Sequence, residues 1–466
     1  MFFRQYYLSC LSHASYLIGD TASGTAVVVD PQRDVSHYLA DAAEHGLRII
    51  KVIETHFHAD FLSGHLELAR ETGASIVYGA AARGRTEFPI EVLGDGSVIH
   101  LGDPTEGVSL TVLETPGHTP ESICVVVRER ADDTVPFGVL TGDTLFIGDV
   151  GRPDLLAAVG FTADDLARQL HHSLHHKLLT LPDATRVYPA HGAGSACGKN
   201  LSTETVSTIG EQRRSNYALA PMTEAEFVDA VTQGQAAAPL YFLYAATKNR
   251  QDREMLDEDA DVILLGLDEV LRAQAAGAVV VDTRDSADFA AAHLRGSINV
   301  GLGGRFAEYT GEVVRPGTPI VLVAEPGRER EATIRLARIG FDTVLGALVE
   351  PLAAFVARPD LVERASRLTA RELDSRRNEV RELQLIDVRG PGEAEAGMVP
   401  GAVNIQLPQL VHRMADLDPS VPTVVYCAGG YRSSIAASTL RHAGFHDVSD
   451  LLGGYGAWLH REAPTA

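Results

Sequence analysis

Cysteine is scarce in this chain. Only Cys10, Cys124, Cys197 and Cys427 occur among 466 residues, and no two stand at C-x-x-C spacing. That excludes a disulfide framework and fits a reducing, cytoplasmic setting. Positive charge is scarce too. Forty Lys and Arg face 62 Asp and Glu, a formal net charge of −22. Repulsion from phosphate argues against nucleic acid or anionic membrane as a partner. Long apolar runs are missing: although 45% of the residues are hydrophobic, no run approaches the roughly 18 residues that span a bilayer. The opening MFFRQYYLSCLSHASYLIGD has no uninterrupted apolar core and no small-residue cleavage pattern, so no secretory leader is expected. What remains is an ordinary globular composition of a length that predicts two to four domains.

Short β-rich runs alternate with helical spacing in the first half. GTAVVVDP (24–31) and RIIKVIET (48–55) read as strands, VSHYLADAAEHGL (35–47) and GHLELARETG (64–73) as helices. The charged stretch 247–262 reads as a surface linker or exposed helix. After it the chain repeats. Asp282 and Asp387, Arg284 and Arg389, Gly296 and Gly401, and Asn299 and Asn404 all stand at one offset, and RLARIGFDTV (335–344) matches TLRHAGFHDV (439–448). Such agreement predicts a duplicated α/β unit of about 100 residues with a parallel sheet.

Histidines and carboxylates cluster at predicted strand ends. THFHAD carries His56, His58 and Asp60 at alternate positions; TPGHT carries His118, GDTLF Asp143 and PAHG His191. Alternation puts the first three on one side of an extended segment. Imidazole and carboxylate together suit zinc, iron and similar ions.

In this order the motifs resemble the metallo-β-lactamase superfamily. The resemblance implies a four-layer αββα sandwich with metal at one edge of two sheets. In the family's T-H-x-H-x-D-H signature the last His serves the second metal; here that position is Phe61, which has no ligand atom. FIGDVGRPDL (146–155) and PAHGAGSACGKNLS (189–202) resemble persulfide dioxygenases, especially those fused to rhodanese domains. That implies one Fe(II) per chain on His56, His118 and Asp143, with zinc as the alternative because the same ligands serve both. His58, Asp60 and His191 then support the ligands or survive from a second site. Cys197 reads either as a packed thiol or as a thiol lining the substrate pocket, Arg152 as a partner for a substrate carboxylate, and Cys10 and Cys124 as structural.

VVYCAGGYRSS (424–434) is an apolar strand, then Cys427, Gly429, Gly430, Arg432 and Ser433 before a helical run. Backbone N–H groups converging at a helix start favour an anion, and with Arg432 they favour thiolate over thiol. The loop resembles the rhodanese C-x-x-G-x-R-S site, and the duplicated units resemble rhodanese domains, with Met398 where His is usual. The first copy aligns Ala324 with Cys427 and adds Glu325, so the middle domain is expected to be inert and to serve packing, spacing or oligomerisation.

The expected fold is therefore α/β: a metallo-β-lactamase sandwich over 1–246, an inert rhodanese domain over 262–362 and a competent one over 368–466. The expected function is sulfide detoxification by a persulfide dioxygenase and thiosulfate sulfurtransferase in a homo-oligomer. Its expected partners are a low-molecular-weight thiol persulfide, O₂, thiosulfate and sulfite. The competing expectation is a zinc-dependent, glyoxalase-II-like hydrolase fused to a sulfurtransferase.

Overall fold

A computed structural model describes residues 1–155 and 160–461. The chain divides into two compact units, Met1–Gln235 with Phe242–Glu258, and Ala236–Tyr241 with Asp259–Ala466.

The first unit holds two six-stranded sheets. One runs Phe2–Leu8, His13–Asp20, Thr25–Val29, Arg48–Ile53, Ser75–Gly79, Glu91–Leu93; the other runs Ser207–Thr208, Arg186–Pro189, Gly138–Gly142, Ile123–Arg128, Val108–Glu114, Val98–Leu101. Their facing sides interdigitate through Tyr16, Val27, Ile53, Leu110, Val125 and Leu140. The outer face of the first sheet packs Leu17, Val28 and Val52 on Tyr38 and Leu68 of helices Ser36–Glu44 and His65–Thr72. The second packs Val126 and Val187 on Leu170 and Leu174 of Ala163–His176 and on Phe227 of Glu224–Thr232. This is the expected αββα sandwich. Strand and helix positions agree with the sequence pattern within a few residues. Gly73 ends its helix in the left-handed conformation, φ 71°, where a side chain is disfavoured.

The charged stretch at 247–262 behaves differently from the sequence reading. Its first part is anchored, not a surface linker. Asn249 is buried, and the Arg253 side chain, 3% exposed, forks onto the buried Glu67 at 2.6 and 3.0 Å. Unpaired, that carboxylate would be costly to bury.

The second unit contains two five-stranded parallel sheets of the same strand order. One is Leu264–Leu265, Val344–Leu348, Ile320–Val323, Val279–Asp282, Ile298–Asn299; the other is Ser366–Leu368, Val448–Leu451, Thr423–Tyr426, Gln384–Asp387, Val403–Asn404. The repeated residues form one repeated lock. Arg284 donates to Asp282 at 2.6 Å, and Arg389 to Asp387 at 2.6 Å. Asn299 Nδ2 ties the carbonyls of Asp282 and Arg284, both at 3.0 Å, and Asn404 ties those of Asp387 and Arg389 at 2.9 and 3.0 Å. Gly340–Phe341 and Gly444–Phe445 close their helices alike: each glycine is left-handed, and each Phe N–H returns to a carbonyl at 3.1 Å. Among the described residues no helix is long and apolar enough to cross a membrane.

Candidate functional site

Ligand atoms of His56, His118 and Asp143 lie within 4.8 Å of one another, all buried. His56 follows strand Arg48–Ile53, and Asp143 follows Gly138–Gly142, so both hang from strand ends at one edge of the sandwich. His118 Nε2 is 3.5 Å and His56 Nε2 3.9 Å from Asp143 Oδ2. Each histidine is oriented through its other nitrogen. His118 Nδ1 donates to the Arg152 carbonyl at 2.9 Å. His56 Nδ1 meets Thr55 Oγ1 at 3.0 Å, whose hydroxyl donates to Asp30 Oδ2 at 2.8 Å. Both Nε2 lone pairs are thereby turned to the centre. Burial, then the neighbouring His58 and His118, press the His56 pKa well below the usual imidazole range, which keeps it a neutral ligand. His56 Nε2 and both Asp143 oxygens are buried without a hydrogen bond. Buried polar groups normally find partners, so this donor set fits a cation.

His58, Asp60 and His191 form an adjoining cluster within the same span. His191 Nε2 is 3.4 Å from Asp60 and 3.3 Å from Asp143, and its Nδ1 donates to the Ser12 carbonyl at 3.2 Å. His58 is differently engaged: its Nε2 is 3.0 Å from Asp30 and 3.4 Å from Glu54. Burial would strip its charge, but Asp30 and Glu54 hold its pKa well above the usual range. Phe61 packs its ring 4.3 Å from His58 and 3.9 Å from His13.

Cys197 is buried beside Asp143 and His191. Burial, then the charges of Asp60 and Asp143, push its thiol well up. Arg152, expected to meet a substrate carboxylate, faces inward and is engaged by the protein's own groups. Only 2% exposed, it spends its guanidinium on Asp154, with two bonds of 2.7 Å, and on the Ala196 carbonyl at 3.2 Å. Its N–H also meets the Cys197 carbonyl at 3.0 Å. It braces His118 and Cys197 together.

Sequence reasoning missed the supports. Asp30 and Ser12 carry left-handed backbone, φ 50° and 51°, a strain that the surrounding structure must hold in place. Asp30 was detectable as an acid directly after a strand, like Asp143. Asn249 gave no local sign, yet it donates to the carbonyls of His58 and Phe61 at 2.8 Å each and accepts from Ser63 N–H at 2.9 Å.

In the second unit Cys427 ends strand Thr423–Tyr426, and helix Tyr431–His442 follows. Gly430, at φ 111°, donates its N–H to Cys427 Sγ at 3.1 Å. Ser433 Oγ lies 3.5 Å from the sulfur. Gly429 stands in the same turn. Arg432 forks onto Glu393 with two bonds of 2.8 Å instead of touching the sulfur. A second support went unread: Tyr455 N–H donates to the Cys427 carbonyl at 2.7 Å, and a Cβ on Gly454 would come within 2.3 Å of that oxygen. The first copy has Ala324 after Ile320–Val323, beside a cavity of about 480 Å³ lined by Arg284, Asp288, Glu325, Pro351 and Leu352.

Residues 8–191 match the metallo-beta-lactamase superfamily, and residues 267–348 and 369–461 match the rhodanese-like domain. A mitochondrial persulfide dioxygenase of Bos taurus is 31% identical over 237 residues, 50% of this chain and 82% of its own. A hydroxyacylglutathione hydrolase of Polaromonas sp. is 34% identical over 181 residues, 38% of this chain and 61% of its own. A crystal structure of a metallo-beta-lactamase from Staphylococcus aureus superposes with a TM-score of 0.67 at 32% identity, covering 74% of this chain and 98% of that one.

Proposed function

The chain belongs to the family of persulfide dioxygenase–rhodanese fusions within the metallo-β-lactamase superfamily, and from that premise we propose that it oxidises a small-thiol persulfide at one site and moves sulfane sulfur at another. At the first, RSSH, O₂ and H₂O give RSH, sulfite and two protons. His56, His118 and Asp143 would hold one Fe(II), which supplies the redox chemistry that lets O₂ react with the persulfide sulfur. The Arg152 carbonyl and the Thr55–Asp30 pair aim the two imidazoles. The buried surroundings strengthen each electrostatic contact and exclude bulk water. Cys197 walls the centre as a neutral thiol.

At the second site the Cys427 thiolate attacks the outer sulfur of thiosulfate. The S–S bond to the sulfonate breaks, sulfite leaves with the electron pair, and Cys427 carries a persulfide. A small thiol then takes that sulfur. Gly430 N–H steadies the sulfur, and Arg432, held by Glu393, sets the positive side of the loop.

What supports this reading is the buried, hydrogen-bond-free donor set at His56 Nε2 and Asp143, beside a His58 held by Asp30 and Glu54. A second reading, a zinc thioester hydrolase, draws on the retained His58–Asp60–His191 cluster. The deciding experiment is anaerobic purification, elemental analysis and O₂ uptake on persulfides of glutathione, coenzyme A, cysteine, mycothiol and bacillithiol. One iron per chain with O₂ uptake is expected. Two zincs per chain with thioester hydrolysis and no O₂ uptake would replace this reading by the second.

A further inference from the structure

A cavity of about 530 Å³ opens in the second unit between the two rhodanese-like copies. The first copy contributes His293 and Arg295, the second Arg441, His442 and His446, and the connection between them Glu363 and Arg364. Three guanidiniums and three imidazoles thus surround one carboxylate, in a chain whose net charge is −22.

The carboxylate is already spent: Glu363 pairs with Arg295 at 2.8 Å. The nearby acids are spent as well, Asp450 on Arg367 and Asp447 on Arg376. Arg441 gives one donor to the Val448 carbonyl at 2.9 Å, and His442 gives its Nδ1 proton to the Gly296 carbonyl at 2.7 Å. One bond ties the end of helix Tyr431–His442 to the strand that follows it and the other ties it to the first copy, so both are structural and need no ligand. They leave Arg441 Nε buried without a hydrogen bond. Nor do they explain why the exposed Arg364 and His446 face the same cavity. His293 is fixed by its Nδ1 bond to the Phe289 carbonyl at 2.8 Å and by stacking on the Phe289 ring.

Guanidinium forks recognise phosphate oxygens in pairs. The volume exceeds what a bare oxyanion fills and falls in the range of small-molecule pockets, roughly 300–1,000 Å³. We propose that this cavity binds a phosphorylated small molecule, its phosphate or diphosphate held by Arg364 and Arg441 and its organic part lying toward Phe445 and Gly444. The site is separate from Cys427 and does not depend on the reaction assigned there.

The test is calorimetric titration of the full chain with ADP, free of divalent ions, against inorganic sulfate as a bare dianion that has no sulfane sulfur for Cys427 to take. Saturable ADP binding is expected in low salt, weakening severalfold when salt is raised. Arg364→Glu, on an exposed side chain that the fold does not need, should weaken it tenfold or more. Arg441→Gln should do the same, with the melting curve reporting that the fold is kept. No saturable binding, or binding unchanged by Arg364→Glu, overturns the proposal. Sulfate bound by the unaltered chain as tightly as ADP, and lost in the same variants, would also overturn it, since the cavity would then take a bare oxyanion.

Discussion

The two rhodanese-like copies share a scaffold and differ at its working end. Both carry the Asp–Arg–Asn lock with nearly the same bond lengths. Both place a left-handed glycine after the loop, Gly327 at φ 87° and Gly430 at φ 111°. Around that common turn the chemistry is reversed. Ala324 stands for Cys427, Glu325 for Ala428 and Glu329 for Arg432. The pair Arg432–Glu393 becomes Glu329 and Asp288, two acids. The scaffold persists because it buries charges that must be paired. The loop was free to change because nothing in the fold needs its thiol.

The first copy is still used. Tyr431, which opens the helix after the cysteine loop, donates to the Gly301 carbonyl at 2.6 Å. Ser434 Oγ donates to Asn299 Oδ1 at 2.9 Å, and Asn299 N–H to Ser438 Oγ at 3.0 Å. The first copy therefore seats the helix that follows the Cys427 loop.

The largest effect that sharpens the contrast comes from the thiol. Cys427→Ser should reduce thiosulfate–cyanide transfer to background while O₂ uptake on a small persulfide continues. Adding Ala324→Cys to that variant should restore nothing, because Glu325 and Glu329 repel an anionic donor. Thiocyanate formed by the double variant would show that the first copy lacks only its nucleophile.

The lock is the next largest. Asp387→Asn and Asp282→Asn each leave a buried arginine without its charge partner, at a cost of roughly 3–5 kcal/mol. The two losses should be alike in denaturant unfolding, but only Asp387→Asn should also slow sulfur transfer strongly. A neutral Asp282→Asn would break the claim that both copies rest on one scaffold.

Those shared and divergent residues were legible because each lies in a short local pattern. D-x-R, the glycine turns and the Gly-Phe pairs repeat at a near-constant offset, and a change inside a repeat shows at once. His56, His118, Asp143 and Cys427 were legible for the same reason: each stands where a strand ends. The supports were not. Glu67 and Arg253 are 186 residues apart, and Asn249 and His58 are 191 apart. Their pairing follows from the folded path of the chain and leaves no local period. Gly454 carries no local sign in the sequence, and only its closeness to the Cys427 carbonyl shows what it does.

Gly454 yields the third effect. It sits at φ 56°, and any Cβ there meets the Cys427 carbonyl at 2.3 Å. Gly454→Ala should cost about 1–3 kcal/mol and lower sulfur transfer at least tenfold by displacing the loop. Pro351 already stands at the equivalent place in the first copy, beside its open cavity. Full transfer in Gly454→Ala would show that this closure is not needed for the reaction.

The smallest effect comes from the position before it. Gly453 caps its helix at φ 69°, and Glu350 caps the matching helix at φ 42°. The first copy has kept a left-handed backbone after losing the residue suited to it. That conformation costs a side-chain-bearing residue roughly 1–2 kcal/mol. Glycine escapes the strain but loses more chain entropy on folding, about 0.5–1 kcal/mol. The strain outweighs the entropy, so Glu350→Gly should stabilise the protein by about 0.5–1 kcal/mol. For a unit of this size that is about 2 °C in melting temperature. Sulfur transfer through Cys427 should not change, because Glu350 lines the cavity of the first copy. A destabilised Glu350→Gly would mean that the glutamate holds this backbone through an interaction stronger than its strain. The two copies would then differ in scaffold as well as in chemistry.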